Sequence, residues 1–339
     1  MALRIVVVGM GPRGQDWARE VQTTPEYELV ACVDVDQTAL QQVSGKLSVP
    51  ARQCFTELEE ALDRNSCDAV IVATSAANHV EPCESALARD LAVMVEKPFT
   101  LSLREAMKLV LLAEEKGTPL IVAQNYRYMR SFRTARRLID AGTIGPVGMV
   151  VCQYYRVPHE MAASLRSLTN SALWGAGIHH LDALRYILKK RVTRLLAEAF
   201  TLPWGQLPNG GSMHLMLSFE DESRVLYSAT YESSGHEFFE QGQEFYIRFV
   251  GERGTLHVFQ RWLVLCETGK LPRPVLRGPR KMTEERILLD QLARALVAGE
   301  EADTSGRDNL QTMALVEACL RSAAERTWVN PQDLLNEWQ

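Results

Sequence analysis

The chain has 339 residues, 46% of them hydrophobic and 23% charged, with a net charge of −5. This is the composition of a globular protein, not of a disordered, collagenous or membrane chain, and at ~150 residues per domain the length implies about two domains. The mildly acidic balance, with a pI near 5.9, gives no electrostatic footprint for nucleic acid or an anionic membrane, both of which call for a clustered basic surface.

The N-terminus offers Arg4 and then only Ile5 to Val8 before Gly9, too short an apolar run for a secretory signal. No uninterrupted apolar stretch approaches the ~18 residues of a membrane helix. The seven cysteines, Cys32, Cys54, Cys67, Cys83, Cys152, Cys266 and Cys319, show no C-x-x-C pair and no finger spacing. They predict reduced thiols in a cytoplasmic protein.

From residue 1 to 123 short β-branched runs alternate with helical stretches. Residues 3–8, 29–33, 69–73, 91–95 and 120–123 are apolar on successive positions, as expected of strands covered on both faces. Helices are predicted between them at 12–23, 56–64, 80–89 and 103–116, the last with Ala106, Leu109, Val110 and Ala113 at helical spacing. This alternation predicts a parallel sheet with right-handed crossovers.

The first strand ends in Gly9-Met10-Gly11-Pro12-Arg13-Gly14 and leads into a helix. Such a motif uses its glycines for a tight turn, for backbone approach to a pyrophosphate, and for close packing of helix on strand. The helix N-terminus then presents free N–H groups to the diphosphate. Asp34 closes the next strand, where a carboxylate accepts hydrogen bonds from both ribose hydroxyls and repels a 2′-phosphate. NAD is therefore expected over NADP, although Arg13 is a residue that could hold a 2′-phosphate.

The strand at 91–95 ends in Glu96-Lys97-Pro98. Ligands of open parallel sheets bind beyond the carboxyl ends of the strands, which places Lys97 at the cofactor crevice. Beside a nicotinamide ring its ammonium can hold a substrate hydroxyl and stabilise a developing alkoxide. A cis Lys97-Pro98 bond would fix its direction.

After Asn125 the rhythm changes. A basic helix at 130–141, with Arg130, Arg133, Arg136 and Arg137, reads as a solvated face. Long alternating runs follow at 147–156, 192–202, 213–219, 224–231, 245–250 and 256–259, then two helices at 283–298 and 307–326. Alternation predicts an antiparallel sheet with one face packed and one available to a partner. The expected division is 1–123 for nucleotide binding and 124–339 for substrate binding and oligomerisation.

Within the second half, Gly175 and Gly177 allow close approach of a ligand, and a helix then starts with His179 and Asp182 one turn apart. His179 is a candidate general base because histidine titrates near working pH. Asp182 is placed to fix its tautomer or to cap the helix. The alternative is a His179-His180 pair that only caps and packs. Adjacent histidines point about 100° apart on a helix, and no further ligands sit at regular spacing, so no metal site is expected.

Together these residues resemble the Gfo/Idh/MocA family of nicotinamide-dependent oxidoreductases along nearly the whole chain. The resemblance lies in Gly9 to Gly14, Thr74 to His79, Glu96-Lys97-Pro98, Asn125-Tyr126-Arg127, Gly251 to Leu256, and Ala318 to Ala323 with Val329. It implies a Rossmann domain followed by an α/β domain whose large, mostly antiparallel, open-faced sheet builds homodimers or homotetramers. It also implies hydride transfer between NAD and a sugar, cyclitol or related polyhydroxy compound, with Lys97 and His179 as catalytic residues. Thr74, Ser75, His79 and Glu96 then join Gly9, Gly11, Pro12, Arg13, Gly14, Asp34 and Lys97 at the cofactor. Tyr126, Arg127, Tyr155, Arg156, His159, Trp174, His180 and Asp182 are the candidates at the substrate.

The chain departs from the family pattern in three places, one of them Ser171-Ala172-Leu173-Trp174 where the family has a Gly-Gly-Gly stretch. Gly175 stands where the D-x-G-x-H motif carries its Asp, and Ser75 stands where T-P-x-x-x-H often carries Pro. Loss of that carboxylate keeps two alternatives open: an NAD-dependent glycosidase, and a protein that binds nucleotide and sugar without turnover.

Overall fold

The computed structural model describes residues 2–157, 166, 168–207, 210–233, 243–259, 262–276 and 282–337. In chain order the elements begin β1 (Leu3–Val8), α1 (Pro12–Thr23), β2 (Tyr27–Val33), α2 (Gln37–Leu47), β3 (Cys54–Phe55), α3 (Leu58–Arg64), β4 (Ala69–Val72), α4 (Val80–Ala88), β5 (Ala92–Val95), α5 (Leu103–Lys116) and β6 (Leu120–Val122). They continue with α6 (Arg130–Asp140), β7 (Val147–Arg156), α7 (Ile178–Leu188), β8 (Val192–Phe200), β9 (Ser212–Phe219), β10 (Arg224–Thr230), β11 (Gln243–Gly251), β12 (Gly254–Phe259), β13 (Leu263–Glu267) and β14 (Arg273–Val275). Helices α8 (Glu284–Ala298), α9 (Gly306–Glu325) and α10 (Pro331–Asn336) close the chain.

Two compact units result, one of Met1–Asn125 with Met282–Leu310 and the other of Tyr126–Lys281 with Gln311–Gln339. This differs from the division expected at residue 123, because α8 and the start of α9 return to the first unit. The return is built on contacts that lie far apart in sequence. The Tyr27 hydroxyl donates to the Leu289 carbonyl, Arg286 pairs with Glu26 at 2.9 Å, and Val122 N donates to the Thr304 carbonyl at 2.8 Å.

The first unit holds a six-stranded sheet in the order β3-β2-β1-β4-β5-β6, with every pairing parallel. Ile5 to Val7 and Val70 to Val72 are fully buried, which explains why the strands read as unbroken apolar runs. Strand order reverses between β1 and β4, and a doubly wound sheet opens its ligand crevice at that point. The run of apolar residues did not reveal α2 and β3. Helix α2 buries only Leu40 and Val43, and β3 is a two-residue edge.

The second unit holds an eight-stranded sheet in the order β14-β13-β12-β11-β7-β10-β9-β8. Its pairings are antiparallel except for β7 with β10. Alternation sends Val150, Cys152 and Tyr154 of β7, Val225 and Tyr227 of β10, and Ile247 and Phe249 of β11 to the buried face. On the opposite face Met149, Met216 and Leu226 are 42%, 41% and 46% exposed, and Leu226 sits in register between Val151 and Met216. Among the described residues no helix is long and apolar enough to cross a membrane.

Candidate active site

In the first unit the three glycines of the turn hold three different positions. Gly9 has φ of +89°, and a Cβ there would lie 2.6 Å from Thr74 N. A Cβ on Gly14 would lie 1.7 Å from the Gly9 carbonyl oxygen, whereas one on Gly11 would meet nothing within 4 Å. The first two glycines make the turn and the helix contact, and Gly11 leaves an open cradle. Pro12 occupies the first turn of α1, which has no side-chain cap and no acidic residue there. Its N–H groups are oriented for an anion, and the cradle fits the diphosphate of a dinucleotide.

Asp34, just after β2, is anchored by the same loop: Oδ2 accepts from Met10 N at 2.5 Å and Oδ1 from Asp36 N at 2.9 Å. A carboxylate has about four acceptor positions, so lone pairs remain for a ribose diol. Arg13 points elsewhere. Its Nε and one terminal nitrogen lie 2.9 and 2.7 Å from Glu96 Oε1, and its other terminal nitrogen lies 3.2 Å from Glu285. Since β2 and β5 lie on opposite sides of β1, Arg13 is drawn to the side away from Asp34.

Glu96 does not present its carboxylate to a cofactor, contrary to the sequence expectation. It is 5% exposed. Oε1 also accepts from Trp17 Nε1 at 2.9 Å, and Oε2 accepts from Lys97 N at 3.2 Å. Its role is to tie α1 to the end of β5. Lys97 follows at that end through a cis bond to Pro98. Burial holds the Lys97 ammonium below the usual lysine range, with Glu96 opposing the shift and Arg13 adding to it.

His79 also corrects its assignment. It is 1% exposed, with Nδ1 3.0 Å from the Pro98 carbonyl and Nε2 3.1 Å from the Thr74 carbonyl. It braces the Lys97-Pro98-Phe99 segment against the turn after β4. Thr74 donates to the Asn78 carbonyl at 3.0 Å within that turn, and Ser75 is exposed beside it.

In the second unit α7 is entered through a π-helical turn, Leu173–Gly177, which contains Gly175 and the buried Trp174. Such turns add a residue to a helix and are frequent at functional sites. His179, 4% exposed, lies flat against Tyr126 with ring centroids 3.9 Å apart and planes 11° from parallel. Arg127, next to Tyr126, grips Asp182 through Nε and a terminal nitrogen at 2.7 and 2.6 Å. Thr312 donates to the same carboxylate at 2.8 Å.

Arg127 and Asp182 are therefore a buried ion pair whose facing groups are committed to each other. His180 is fully buried, bonded through Nδ1 to the Tyr227 hydroxyl at 2.9 Å and stacked on Phe245. Burial drives its pKa down to about 3, so it is neutral near pH 7. Tyr155 faces the other side of the sheet, 3.4 Å from Ser228 Oγ, because successive strand residues alternate. His159 lies outside the described residues.

Tyr154, on the opposite face of β7 from Tyr155, packs against Tyr231, and both are buried. Their rings meet edge on at 5.7 Å, and the Arg156 guanidinium hydrogen-bonds both hydroxyls from 5.8 Å over the Tyr231 ring. Burial raises both phenols, Tyr231 up to about 12, so they stay protonated. The period of two along β7 was the signal that could have selected Tyr154. No local signal points to Glu285 or Trp17, whose partners lie 272 and 79 residues away.

Residues 3–124 match the model of an oxidoreductase family with an NAD-binding Rossmann fold, and residues 132–257 match the GFO/IDH/MocA C-terminal domain. The chain is 26% identical to D-apiose dehydrogenase of Paraburkholderia graminis, over 91% of this chain and 84% of that protein. It is 25% identical to inositol 2-dehydrogenase of Rhizobium meliloti, over 97% and 99% of the two chains. Among solved structures, an oxidoreductase from Agrobacterium radiobacter in complex with NAD+, L-tartaric acid and magnesium superposes with a TM-score of 0.88 at 22% identity, over 98% of this chain and 100% of that one. Aldose-aldose oxidoreductase from Caulobacter crescentus, complexed with glycerol, gives a TM-score of 0.84 at 20% identity, over 97% and 100%.

Proposed function

From the premise that this chain belongs to the GFO/IDH/MocA family of oxidoreductases, we propose that it moves hydride between NAD and a carbinol carbon of a sugar, cyclitol or related polyhydroxy compound. The observation that carries this reading is the coincidence, within one unit, of the glycine cradle, Asp34 and Lys97, half-buried at the end of β5. The dehydrogenase names of the D-apiose and inositol relatives support the substrate class.

Gly9, Gly11, Gly14 and the start of α1 would hold the diphosphate, and Asp34 the adenosine ribose. NAD is favoured over NADP because Asp34 and Asp36 set two carboxylates after β2, while Arg13 is engaged by Glu96 and Glu285. When bound, the nicotinamide supplies a two-electron hydride acceptor or donor. Lys97 holds the substrate hydroxyl and stabilises the oxyanion that develops on it. His179 accepts the hydroxyl proton as the carbonyl forms and returns it in the reverse direction. Tyr154, Tyr231 and Arg156 offer hydroxyl and guanidinium groups to a polyhydroxy ligand.

The reading extends to assembly: the face of the eight-stranded sheet carrying Met149, Met216 and Leu226 pairs with a second copy, as an exposed apolar sheet face favours.

The test is absorbance of reduced nicotinamide with NAD and with NADP across sugars, cyclitols and sugar acids, for the native protein and Lys97→Ala. An NAD-dependent signal that falls about 10²- to 10³-fold in the variant is expected. Hydrolysis of a glycoside with no net NADH, or NADH binding with silence on the whole panel, would overturn it.

A further inference from the structure

The short turn Asn125–Tyr128 holds α7 at two points one helical turn apart. Tyr126 covers His179, and its chain neighbour Arg127 carries the bidentate contact to Asp182. The second contact is the anchor. Both partners are at most 4% exposed, and Thr312 on α9 closes the carboxylate, so the backbone at Arg127 is fixed relative to α7. Fixing Arg127 fixes where the ring of Tyr126 begins.

Phe132 supports that ring from its own side, 6.2 Å away at 56°. A histidine on a helix keeps two side-chain torsions. The second, about the bond to the ring, has a broad and roughly two-fold preference, so helix geometry alone leaves the ring plane loose. A parallel aromatic plane at 3.9 Å holds the plane of the ring.

We propose that Tyr126 is a positioning residue for His179: Tyr126 and Arg127 act as a two-point clamp that sets the imidazole plane for proton transfer. The proposal rests on the reading of His179 as the base. It assigns to Tyr126 the ring face, not the hydroxyl, as the working part. Burial raises the Tyr126 hydroxyl above its ordinary range, so it stays protonated and takes no proton from the substrate near neutral pH.

The experiment compares Tyr126→Phe, which keeps the ring, with Tyr126→Leu, which removes it, and with His179→Ala. Native protein, with histidine ring carbons labelled, should show His179 ring protons shifted upfield by the stacked phenol. That shift should persist in Tyr126→Phe and vanish in Tyr126→Leu. In steady state kcat should stay within about threefold of native for Phe and fall about 10- to 100-fold for Leu, a range typical of lost orientation. The Kd for NADH should hold in both.

Equal turnover of native and Tyr126→Leu protein overturns the clamp, provided His179→Ala is slow. A slow Tyr126→Phe would transfer the role to the hydroxyl and overturn it as well. If His179→Ala turns over normally, the reading of His179 fails instead, and the ring-proton shift still decides whether the clamp holds the imidazole. Loss of fold in Tyr126→Leu would show in circular dichroism, and the Phe variant with the native spectrum then carries the test.

Discussion

Arg127 and Asp182 meet as a two-pronged ion pair with neither side chain more than 4% exposed. Removing one partner of such a pair leaves a buried charge uncompensated and costs about 3–5 kcal/mol, whereas replacing both with apolar groups costs much less. Asp182→Ala is expected to lower the unfolding free energy in urea by about that amount. The double variant Arg127→Met with Asp182→Leu should recover most of the loss. Equal losses in single and double variants would show that the pair is not what the single change breaks.

Gly11 and Gly14 belong to one motif but face different surroundings, and their alanine variants should separate binding from stability. A Cβ on Gly11 meets open space, and one on Gly14 runs into the Gly9 carbonyl. Gly11→Ala should melt like the native protein and bind NADH at least about tenfold more weakly, because the methyl fills the cradle. Gly14→Ala should lose stability itself, by about 1–3 kcal/mol of overpacking. Melting curves and NADH fluorescence titrations distinguish the two.

His180 makes stability depend on pH with a definite sign. Its folded pKa is about 3, against ~6.5 in an unfolded chain. Below pH ~6.5 the unfolded state takes up a proton that the folded state refuses until the pH approaches 3. Stability therefore falls as pH drops through that window, by roughly 1.4 kcal/mol per pH unit for one such group. His79, also held low by burial, acts in the same direction. Denaturation at pH 7.5, 6 and 4.5 should show His180→Gln losing less stability than native protein by about 2 kcal/mol. Identical slopes would mean that His180 does not resist protonation.

The sheet face at Leu226 and Met216 provides a test of assembly that leaves the core alone. Leu226→Glu with Met216→Glu places two like charges at paired positions on exposed strands. Light scattering should report a drop from the native assembly to monomers. Unfolding of the separated chain should weaken by no more than about 1 kcal/mol, the cost of like charges directly opposite on neighbouring strands. An unchanged mass would move the interface to another face.

The parts of the molecule that were legible in the sequence were those in which one residue's surroundings are set by its near neighbours. β1, α1, α5 and β7 fall at the residues that their apolar spacing and flanking turns indicate. The role of Gly14 was readable for the same reason, since it packs on Gly9 five residues earlier, whereas the space at Gly9 is closed by Ala73 and Thr74 from the end of β4. Tyr155 and Tyr154 could not be told apart by chemistry, and only the parity of β7 against the buried face decides between them. Asp182 looked like a partner for His179 one turn away, but Arg127, 55 residues earlier, takes its carboxylate. Glu96 and His79 each have their polar atoms turned inward to brace the segment that carries Lys97, which depends on partners that no local pattern shows. β14, three residues at the sheet edge, is too short to show a period.

The contact of Arg13 with Glu285 sets a timetable for the chain as it leaves the ribosome. The nucleotide-binding unit opens the sequence, but its last pieces, residues 282–310, are synthesised only after almost all of its partner unit. At about 5–20 residues per second, the six-stranded sheet waits roughly ten to thirty seconds between emergence of β6 and arrival of α8. During that interval Tyr27 and the edge of β6 lack the partners they have in the finished protein. A gene rearranged to join residue 125 to residue 282 through a short linker would deliver the whole unit in one pass, and its yield of soluble protein would show how much that delay costs the cell.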